Sequence, residues 1–242
     1  MDILSEAEIA SYSAMLAHKD PSARISWGME TFGGGLTLLC GLGRGSGVLI
    51  DMVSRLGFTI RTIFIDTLAL HPESYELIKQ YEERYKIRIE PQKPTKEGLA
   101  MLPGQPSLDL FVGHDDVRIL CCDVRKSWPL RRGMKGYPAL LGGLRPNPMT
   151  DDRITIPVLE IDRAHGGFVK INALNEWSDK AIREYVGFYK VPTHPLFQQG
   201  YDSVGCGDPC TAPGKGRDGR FPWLNDRAHA HCNLNITHQQ PI

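Results

Sequence analysis

The sequence predicts an α/β protein, with a mostly parallel, twisted sheet, helices on both faces and a loop-rich C-terminal tail. Short apolar runs alternate with helical patterns, which is typical of βαβ units and a parallel sheet. The run at residues 36–40 indicates a buried strand, and the glycine-rich turn "GLGRGSG" at 41–47 follows it directly. The next helix and strand, at 48–57 and 58–66, complete a βαβ unit over residues 36–66.

The remaining elements follow the same alternation. Pro72 near the start and apolar residues along one face predict a helix in "HPESYELIKQYEERYK". A strand that ends in a cysteine pair is expected at 117–122, after an irregular stretch at 91–116. We also expect a helical, peripheral N-terminus at 1–30, strands at 87–91, 136–144 and 154–162, a helix at 177–189 and loops from Thr193 onward. We expect a single domain, 1–242, with a mobile C-terminal segment at 211–242.

Charge and composition exclude several classes of partner. The 242 residues carry 28 basic and 28 acidic side chains, and a formal net charge of zero gives no global basic field for a nucleic acid. No stretch is apolar over the length of a membrane span, and the N-terminus lacks the pattern of a signal peptide. We therefore expect no nucleic-acid or membrane partner. We also expect a cytoplasmic location, where disulfides are rare and clustered cysteines more often bind metal or do redox work.

Two turns at the carboxyl ends of predicted strands are candidate ligand-binding segments. The glycines of 41–47 let the backbone approach a ligand, and N–H groups at the following helix start attract anions. The spacing matches neither the dinucleotide fingerprint nor a Walker loop, so the glycines could equally serve the turn alone. Asp66 and Thr67 stand where open α/β sheets bind ligands, although an aspartate there can also cap the next segment.

The cysteines suggest a metal centre. Cys40 stands in an apolar run and is expected in the core. Two close pairs can supply four thiolates, the ligands of iron–sulfur clusters and of structural zinc: Cys121 with Cys122, and Cys206 with Cys210. An adjacent pair is unusual for zinc, because zinc-binding pairs are normally separated by about two to four residues. The alternative is a set of free thiols in a reducing compartment.

The tail contains a candidate nucleophile. Cys232 lies among cationic and titratable side chains, namely Arg227, His229, His231 and His238. Cations near a thiol lower its pKa and make it a nucleophile at neutral pH. A glycine-rich tail could carry such a thiol to a substrate held elsewhere. The alternative is an unstructured basic end.

Four stretches together resemble the assimilatory sulfonucleotide reductases, which comprise the adenosine 5′-phosphosulfate (APS) and 3′-phospho-APS (PAPS) reductases. They are "CCDVRKSWPL", "IDTLALHPESYELI", "HPLFQQGYDSVGCGDPCT" and "GRDGRF", and the resemblance covers roughly residues 36 to 235. It implies a fold of the adenine nucleotide alpha hydrolase-like type, related to the ATP-pyrophosphatases. The adjacent cysteine pair is similar to that of the branch which carries a [4Fe–4S] cluster and mostly prefers APS.

The resemblance also implies roles for individual residues. The cluster ligands would be Cys121, Cys122, Cys206 and Cys210, and the catalytic thiol would be Cys232. The substrate-binding positions would be Gly41, Gly43, Gly45, Ser46, Asp66, Thr67, Lys126, Arg145, Arg153, Arg217 and Arg220. Three departures from the family pattern stand out. "CGDPC" is longer than the usual C-x-x-C, "HCNLN" replaces "ECGLH", and Leu68 replaces the glycine of "LDTG".

The implied activity is the reduction of APS to sulfite and AMP through an enzyme S-sulfocysteine, in sulfate assimilation and cysteine biosynthesis. Thioredoxin or glutaredoxin would be the thiol donor, and a homo-oligomer is compatible with the sequence. One alternative is a PAPS reductase that releases adenosine 3′,5′-bisphosphate. Another is a non-catalytic nucleotide-binding iron–sulfur or zinc redox protein, which "HCNLN" favours. A third is an adenylating enzyme of the related fold, which the cysteine pairs and the missing S-G-G-x-D-S loop disfavour.

Overall fold

The computed structural model describes residues 4–145 and 156–224. Within them, a six-stranded sheet has the order β3-β2-β1-β4-β6-β5. All neighbouring strands are parallel except β5, which runs antiparallel to β6. The strands are β1 Leu36–Leu39, β2 Arg61–Ile65, β3 Ile89–Gln92, β4 Ala139–Gly142, β5 Leu159–Asp162 and β6 Phe168–Asn172. The predicted mostly parallel α/β sheet is thereby confirmed.

Helices cover the sheet and connect its strands. Their bounds are α1 Glu6–Ala17, α2 Pro21–Phe32, α3 Arg44–Arg55, α4 Pro72–Tyr85, α5 Lys96–Ala100, α6 Leu108–Phe111, α7 Asp115–Cys122, α8 Trp128–Gly133 and α9 Asp179–Tyr189. A π-helical turn, Asp123–Ser127, joins α7 to α8 without a break. The predicted βαβ unit is present as β1–α3–β2, and α3 begins at Arg44, within the glycine-rich turn.

Alternate strand residues pack on opposite faces of the sheet, as the two-residue period of a strand requires. Ile63 and Leu140 contribute to a cluster that includes Leu130 of α8. Phe64 and Leu141 belong to the larger core on the other face, together with α3 and α4. The expected placement of helices on both faces follows from these two clusters.

The N-terminal helices are tied to the sheet through a buried arginine. Arg24 of α2 is 1% exposed. Its guanidinium donates hydrogen bonds to the carbonyls of Leu16 and Ala173 and to the side chain of Asn175. Ile25 and Phe32, also on α2, join the large core. The helical N-terminus thus packs directly onto the sheet.

Two sequence predictions in the middle of the chain are wrong. The expected strand at 117–122 is the helix α7, whose first turn carries Asp115 and Asp116, and carboxylates stabilise a helix start. Its apolar segment is short enough to fit either element, and the helix is visible in the burial of Arg118, Cys121 and Cys122, which are three and four residues apart. The expected irregular stretch at 91–116 contains α5 and α6.

Strand β6 was not predicted from the sequence. All five of its residues are buried, but Lys170 in its centre interrupts the apolar pattern. The Lys170 ammonium lies 2.8 Å from the carboxylate of Asp162 on the neighbouring β5. A buried charge needs such a partner, and the pairing of β5 with β6 is what supplies it.

The strand order creates the crevice that positions the site. From β1 the sheet extends to β2 on one side and to β4 on the other. The connections from β1 and from β4 therefore lead to opposite sides of the sheet, and open α/β sheets bind ligands at the carboxyl edge where this change of direction occurs.

Candidate active site

A cleft of about 410 Å³ opens at this carboxyl edge. Loops after β1, β2 and β4 line it, together with α9 and a loop segment at 202–220. The cleft brings together Gly41, Gly43, Gly45, Ser46, Thr67, Lys126, Arg145, Cys206, Arg217 and Arg220 among the residues singled out from the sequence. Arg153 and Cys232 lie outside the described residues.

The glycine-rich turn and the loop after β4 approach each other closely at Gly45 and Gly143, whereas Cβ atoms at Gly41 and Gly43 would meet open space. A Cβ on Gly143, after β4, would stand 3.2 Å from the backbone carbon of Gly45. Ser46 closes the turn by donating a hydrogen bond from its hydroxyl to the Gly43 carbonyl at 2.8 Å. Gly43 begins α3 without a side-chain cap, and uncapped N–H groups at a helix start attract anions.

Asp66 and Thr67 differ in what they face. Thr67 lines the cleft, whereas Asp66 is absent from its lining. The Asp66 carboxylate accepts hydrogen bonds from the Leu68 backbone at 3.1 Å and from the Tyr75 hydroxyl at 2.7 Å. Asp66 thus organises the loop, and Thr67 is the member of the pair that reaches the cleft.

The cleft is rich in cations, several of which the sequence analysis missed. Lys126 and Arg220 are each 4% exposed. Arg145 pairs with Asp179 at 2.7 Å. Three further cations line the cleft, namely Arg44, Lys170 and Arg183. The position of Arg44 inside "GLGRGSG" was a usable signal, whereas Lys170 and Arg183 reach the cleft only through the tertiary fold.

Arg44 is held by an aromatic ring and a shared carboxylate. Its guanidinium lies over the Phe197 ring, 3.7 Å from the centroid, and 3.7 Å from the Asp202 carboxylate. Arg183 approaches the same carboxylate at 3.2 Å. The backbone N–H of Gly216, followed by the arginine charges, holds the pKa of Asp202 below its usual range, although its burial opposes this. Asp202 therefore stays ionised as the shared partner of both arginines.

The two cysteine pairs meet in one buried group. Cys121 and Cys122 at the end of α7 join Cys206 and Cys210, and this four-cysteine group packs with Phe111 and Phe221. None of the four cysteines forms a disulfide bond within the described residues. The "CGDPC" loop is fixed to the segment after β2, because the Gly207 backbone N–H donates to the Ala69 carbonyl at 2.7 Å. Cys206 also lies at the cleft, so the group and the cleft share a wall.

Burial and the closeness of the thiols to one another determine the electrostatics of the four-cysteine group. Burial, with a further contribution from Cys206, raises the pKa of Cys210 to about 12. Burial also raises the pKa of Cys121, while the charge of Arg125 acts in the opposite direction. Four buried thiols ionise together only if a bound cation compensates their charge, and metal coordination deprotonates thiols.

The residues of the four-cysteine group fit an iron–sulfur cluster better than a single ion. In the described part of the chain, no three His, Cys, Asp or Glu side chains converge at the distances of one metal ion. In a [4Fe–4S] cluster the four thiolates are ligands of a multi-iron cube, so they need not converge on one point. Within the same residues, the buried N–H groups Arg125 Nε and Trp223 Nε1 have no hydrogen-bond partner. Cluster sulfurs accept hydrogen bonds and would satisfy such donors.

Comparisons with known proteins point to one family. The phosphoadenosine phosphosulfate reductase domain matches residues 35–213. The adenosine 5′-phosphosulfate reductase of Agrobacterium fabrum is 33% identical over 236 residues, which cover 96% of this chain and 89% of that protein. The adenosine 5′-phosphosulfate reductase of Allochromatium vinosum is 37% identical over 198 residues, or 80% and 76% of the two chains.

Solved structures agree on the fold. The phosphoadenylyl-sulfate (PAPS) reductase of Candida auris, in a phosphate complex, superposes with a TM-score of 0.69 and 28% identity, over 84% of this chain and 96% of that one. The FMN adenylyltransferase of Candida glabrata, in complex with ATP, gives a TM-score of 0.55 at 14% identity, over 85% and 65% of the two chains. The second likeness concerns the fold alone.

The sheet order, the cation-lined cleft at its carboxyl edge and these likenesses together define an α/β protein of the sulfonucleotide reductase class. The chain belongs to the phosphoadenosine phosphosulfate reductase family. Within the described ranges, no helix combines the length and the apolar character that a bilayer crossing requires.

Proposed function

We propose that the protein reduces adenosine 5′-phosphosulfate to sulfite and AMP with a thiol donor, and that the four-cysteine group holds a [4Fe–4S] cluster. The observation that carries this proposal is the convergence of Cys121, Cys122, Cys206 and Cys210 beside the nucleotide cleft. The curated relatives described above bear the name of APS reductases, which favours APS over PAPS as substrate.

Binding of the nucleotide rests on the lining of the cleft. The glycine-rich turn allows close approach of a ligand, and the start of α3 offers N–H groups to an anion. Thr67 would contact the nucleotide from the loop after β2. Lys126, Arg217 and Arg220 would neutralise the phosphosulfate, and Arg145, which also lines the cleft, would be a further phosphate contact together with the predicted Arg153.

The proposed first step uses Cys232. Its thiolate attacks the sulfur of the sulfonyl group, the bond between that sulfur and the bridging phosphate oxygen breaks, and AMP leaves as an anion. The leaving group is a stable phosphate, so it requires charge stabilisation by the cleft cations more than proton donation. The product on the protein is an S-sulfocysteine. Cys232 follows Arg220 by twelve positions, and an extended chain of that length spans roughly 40 Å, so chain length is no obstacle.

The proposed second step regenerates the thiol. A thiolate of a dithiol donor such as thioredoxin or glutaredoxin attacks Sγ of Cys232, sulfite leaves, and a mixed disulfide forms. The second donor thiol resolves this disulfide and frees Cys232. The two electrons that convert the sulfur from the sulfate to the sulfite oxidation state thus come from the donor, which ends as a disulfide.

The cluster would contribute charge and order rather than electrons. When bound to the four thiolates, it would fix the end of α7 and the "CGDPC" loop and set the local potential near Lys126. Thiols that stay reduced suit a reducing compartment, so the cytoplasm is the proposed location.

The test combines metal analysis with turnover. Anaerobically purified protein should contain about four iron and four sulfide per chain and should release sulfite from APS in the presence of reduced thioredoxin. Cys232→Ser should bind AMP as the wild type does but form no protein-bound sulfonate and no sulfite. Turnover by Cys232→Ser would refute the role of this thiol, and a metal-free wild type would refute the cluster.

A PAPS reductase is the second candidate. The likeness to the Candida auris structure and the extra cleft cations Arg44 and Arg183 favour it. Initial rates on APS and PAPS at matched concentrations decide between the two. Nucleotide binding without sulfite from either substrate would instead support the non-catalytic redox protein.

A further inference from the structure

We propose that Arg125 is a positioning residue that couples the four-cysteine group to the nucleotide cleft. The proposal rests on the cluster and the cleft assigned in the proposed function. Arg125 lies on the π-helical turn and is 2% exposed. It does not line the cleft, whereas its neighbour Lys126 does. Any effect of Arg125 on a nucleotide must therefore pass through other residues.

One side of the guanidinium holds the nucleotide loop. Arg125 Nη1 donates to the Thr67 carbonyl at 2.7 Å, across 58 positions of sequence. Nη2 donates to the Gln105 side chain at 3.1 Å. Thr67 is the residue after β2 that reaches the cleft. The planar fork thus sets the position of the Thr67 backbone, which a lysine could not reproduce with a single point charge.

The other side of Arg125 faces the cysteines. Arg125 follows Cys121 by four residues along the continuous helix, and its positive charge opposes the rise in the pKa of the Cys121 thiol that burial causes. Cys206 in turn donates from Sγ to the Thr67 hydroxyl at 3.4 Å. Arg125, Thr67 and Cys206 therefore form a continuous chain of contacts, which leads from the helix that carries Cys121 and Cys122 through the loop that receives the nucleotide to the second cysteine pair.

The third feature of Arg125 is a buried hydrogen-bond donor. Arg125 Nε is buried and has no hydrogen-bond partner among the described residues. An unsatisfied buried N–H is costly, and each such group in a native protein calls for an acceptor. The sulfurs of a cluster held by the four-cysteine group are acceptors of the right chemistry. A guanidinium is also a permanent cation beside thiolates that carry excess negative charge.

The experiment compares Arg125→Lys and Arg125→Met with matched variants of another buried arginine. Arg24 is equally buried and bonds Leu16, Ala173 and Asn175 instead. Arg24→Lys and Arg24→Met thus report the loss of a buried guanidinium from the core alone. All proteins are full-length and purified anaerobically. The readouts are iron and sulfide content, the rate of iron loss to a chelator, AMP affinity and the resonance Raman bands of the iron–sulfur stretches in H₂O and D₂O.

We expect both Arg125 variants to bind AMP roughly 10-fold more weakly, because a charged hydrogen bond to Thr67 is lost. Arg125→Met should lose iron to the chelator several-fold faster and show a smaller shift of the iron–sulfur bands in D₂O. Arg125→Lys keeps the charge and should rescue iron retention but not AMP affinity. The Arg24 variants should match the wild type in iron, Raman bands and AMP affinity, whatever their melting temperature.

Three results would overturn the proposal. The first is an Arg125→Met protein that keeps wild-type iron retention and AMP affinity. The second is equal losses in the Arg24 variants, which would make the effect one of general stability. The third is a wild type that binds no iron after anaerobic purification, which removes the cluster as well. A wild type with iron and AMP binding but no sulfite release would instead refute the proposed reaction and leave the role of Arg125 intact.

Discussion

Thr67 and Cys206 are in direct contact, since the Thr67 hydroxyl lies 3.4 Å from the Cys206 sulfur. One side chain thus touches both the cleft and the four-cysteine group. With a neutral thiol the hydroxyl accepts the hydrogen bond, and with a thiolate ligand it donates. Hydrogen bonds to ligand sulfurs stabilise the bound form of a cluster. The contact makes the nucleotide loop an outer support of the metal site.

The contact predicts that Thr67→Val weakens metal retention. Valine keeps the shape but removes the hydroxyl, at a cost of about 1 kcal/mol. Iron release to a chelator should be several-fold faster than in the wild type. Thr67→Ser keeps the hydroxyl and serves as the control. Identical release from the valine and serine variants would show that the hydroxyl does not support the site.

Replacing Asp202 should change the preference of the protein between APS and PAPS. It is the carboxylate shared by Arg44 and Arg183 at the cleft. Asp202→Asn removes one negative charge, so the substrate with more negative charge gains more. Because Asp202 is partly exposed, we expect a gain of only about 0.5–1 kcal/mol. The ratio of kcat/KM for PAPS to that for APS should rise roughly threefold.

The control for this charge change is Glu184→Gln, which alters an exposed pair with Lys180 on the outer surface of α9. Steady-state kinetics on both nucleotides, at two salt concentrations, provide the measurement. An equal effect of the Asp202 and Glu184 substitutions would assign the change to net charge. A ratio that falls in Asp202→Asn would contradict the argument.

Alanine should have opposite effects on stability at two glycines, because Gly143 lies where two loops meet and Gly187 lies on an open face of α9. A Cβ at Gly143 meets the backbone at 3.2 Å, and backbone cannot move aside cheaply. Gly143→Ala should cost about 1–3 kcal/mol of stability and weaken AMP binding. Gly187 of α9 has open space around its Cβ position. Gly187→Ala should raise the free energy of unfolding by about 0.5–1 kcal/mol, because alanine favours a helix more than glycine does.

Urea unfolding and AMP titration of both alanine variants check this pair. The Gly187 variant also shows whether the assay resolves differences of this size. Wild-type stability and AMP affinity in Gly143→Ala would mean that the loops after β1 and β4 can separate without loss.

The buried ring of His194 should make the stability of the protein depend on pH. The ring is fully buried, accepts a hydrogen bond from the Leu196 backbone at 3.3 Å and contacts the Ser74 hydroxyl at 3.0 Å. Burial, helped by the charge of His71 and opposed by Glu73, lowers the pKa of His194 from 6.5 to about 4. The unfolded chain therefore takes up this proton near pH 6.5, and the folded protein only near pH 4.

Neutral His194 makes its full contribution to the free energy of unfolding above pH 6.5. This contribution, up to about 3 kcal/mol, is lost as the pH falls from 6.5 toward 4. Urea unfolding at several pH values in this interval measures it. His194→Gln should flatten the decline, whereas His18→Gln, at an exposed position, should leave it unchanged. Equal slopes in the wild type and His194→Gln would contradict the prediction.

Local patterns in the sequence predicted β1, α3, β2 and α4, because in each the apolar residues form a clear pattern and a glycine or proline marks an end of the element. The meeting of the two cysteine pairs was also predictable, since their residue types and spacing resemble a known family. The error at α7 has a physical cause: a six-residue segment with five apolar side chains fits a buried strand as well as one face of a short helix. Lys170 gave no usable signal, because its partner Asp162 becomes its neighbour only in the folded sheet. The stretch "CCDVRKSWPL" places Arg125 beside the cysteine pair, but the contact of Arg125 with Thr67 forms only in the folded protein.

The uninterrupted path from α7 through the π-helical turn to α8 has a consequence for how insertions and deletions act on this protein. A π-helical turn contains one residue more than an α-helical turn would. Deleting one residue between 123 and 127 would therefore restore a regular helix and leave α7 and α8 at nearly their present rotation. Deleting one residue within α7 or α8 would instead rotate the two parts of the helix by about 100° relative to each other. The π-helical turn is thus a segment where the chain can change in length by one residue while Cys121 and Cys122 still face Cys206 and Cys210, although Arg125 and Lys126 on the turn itself would be displaced.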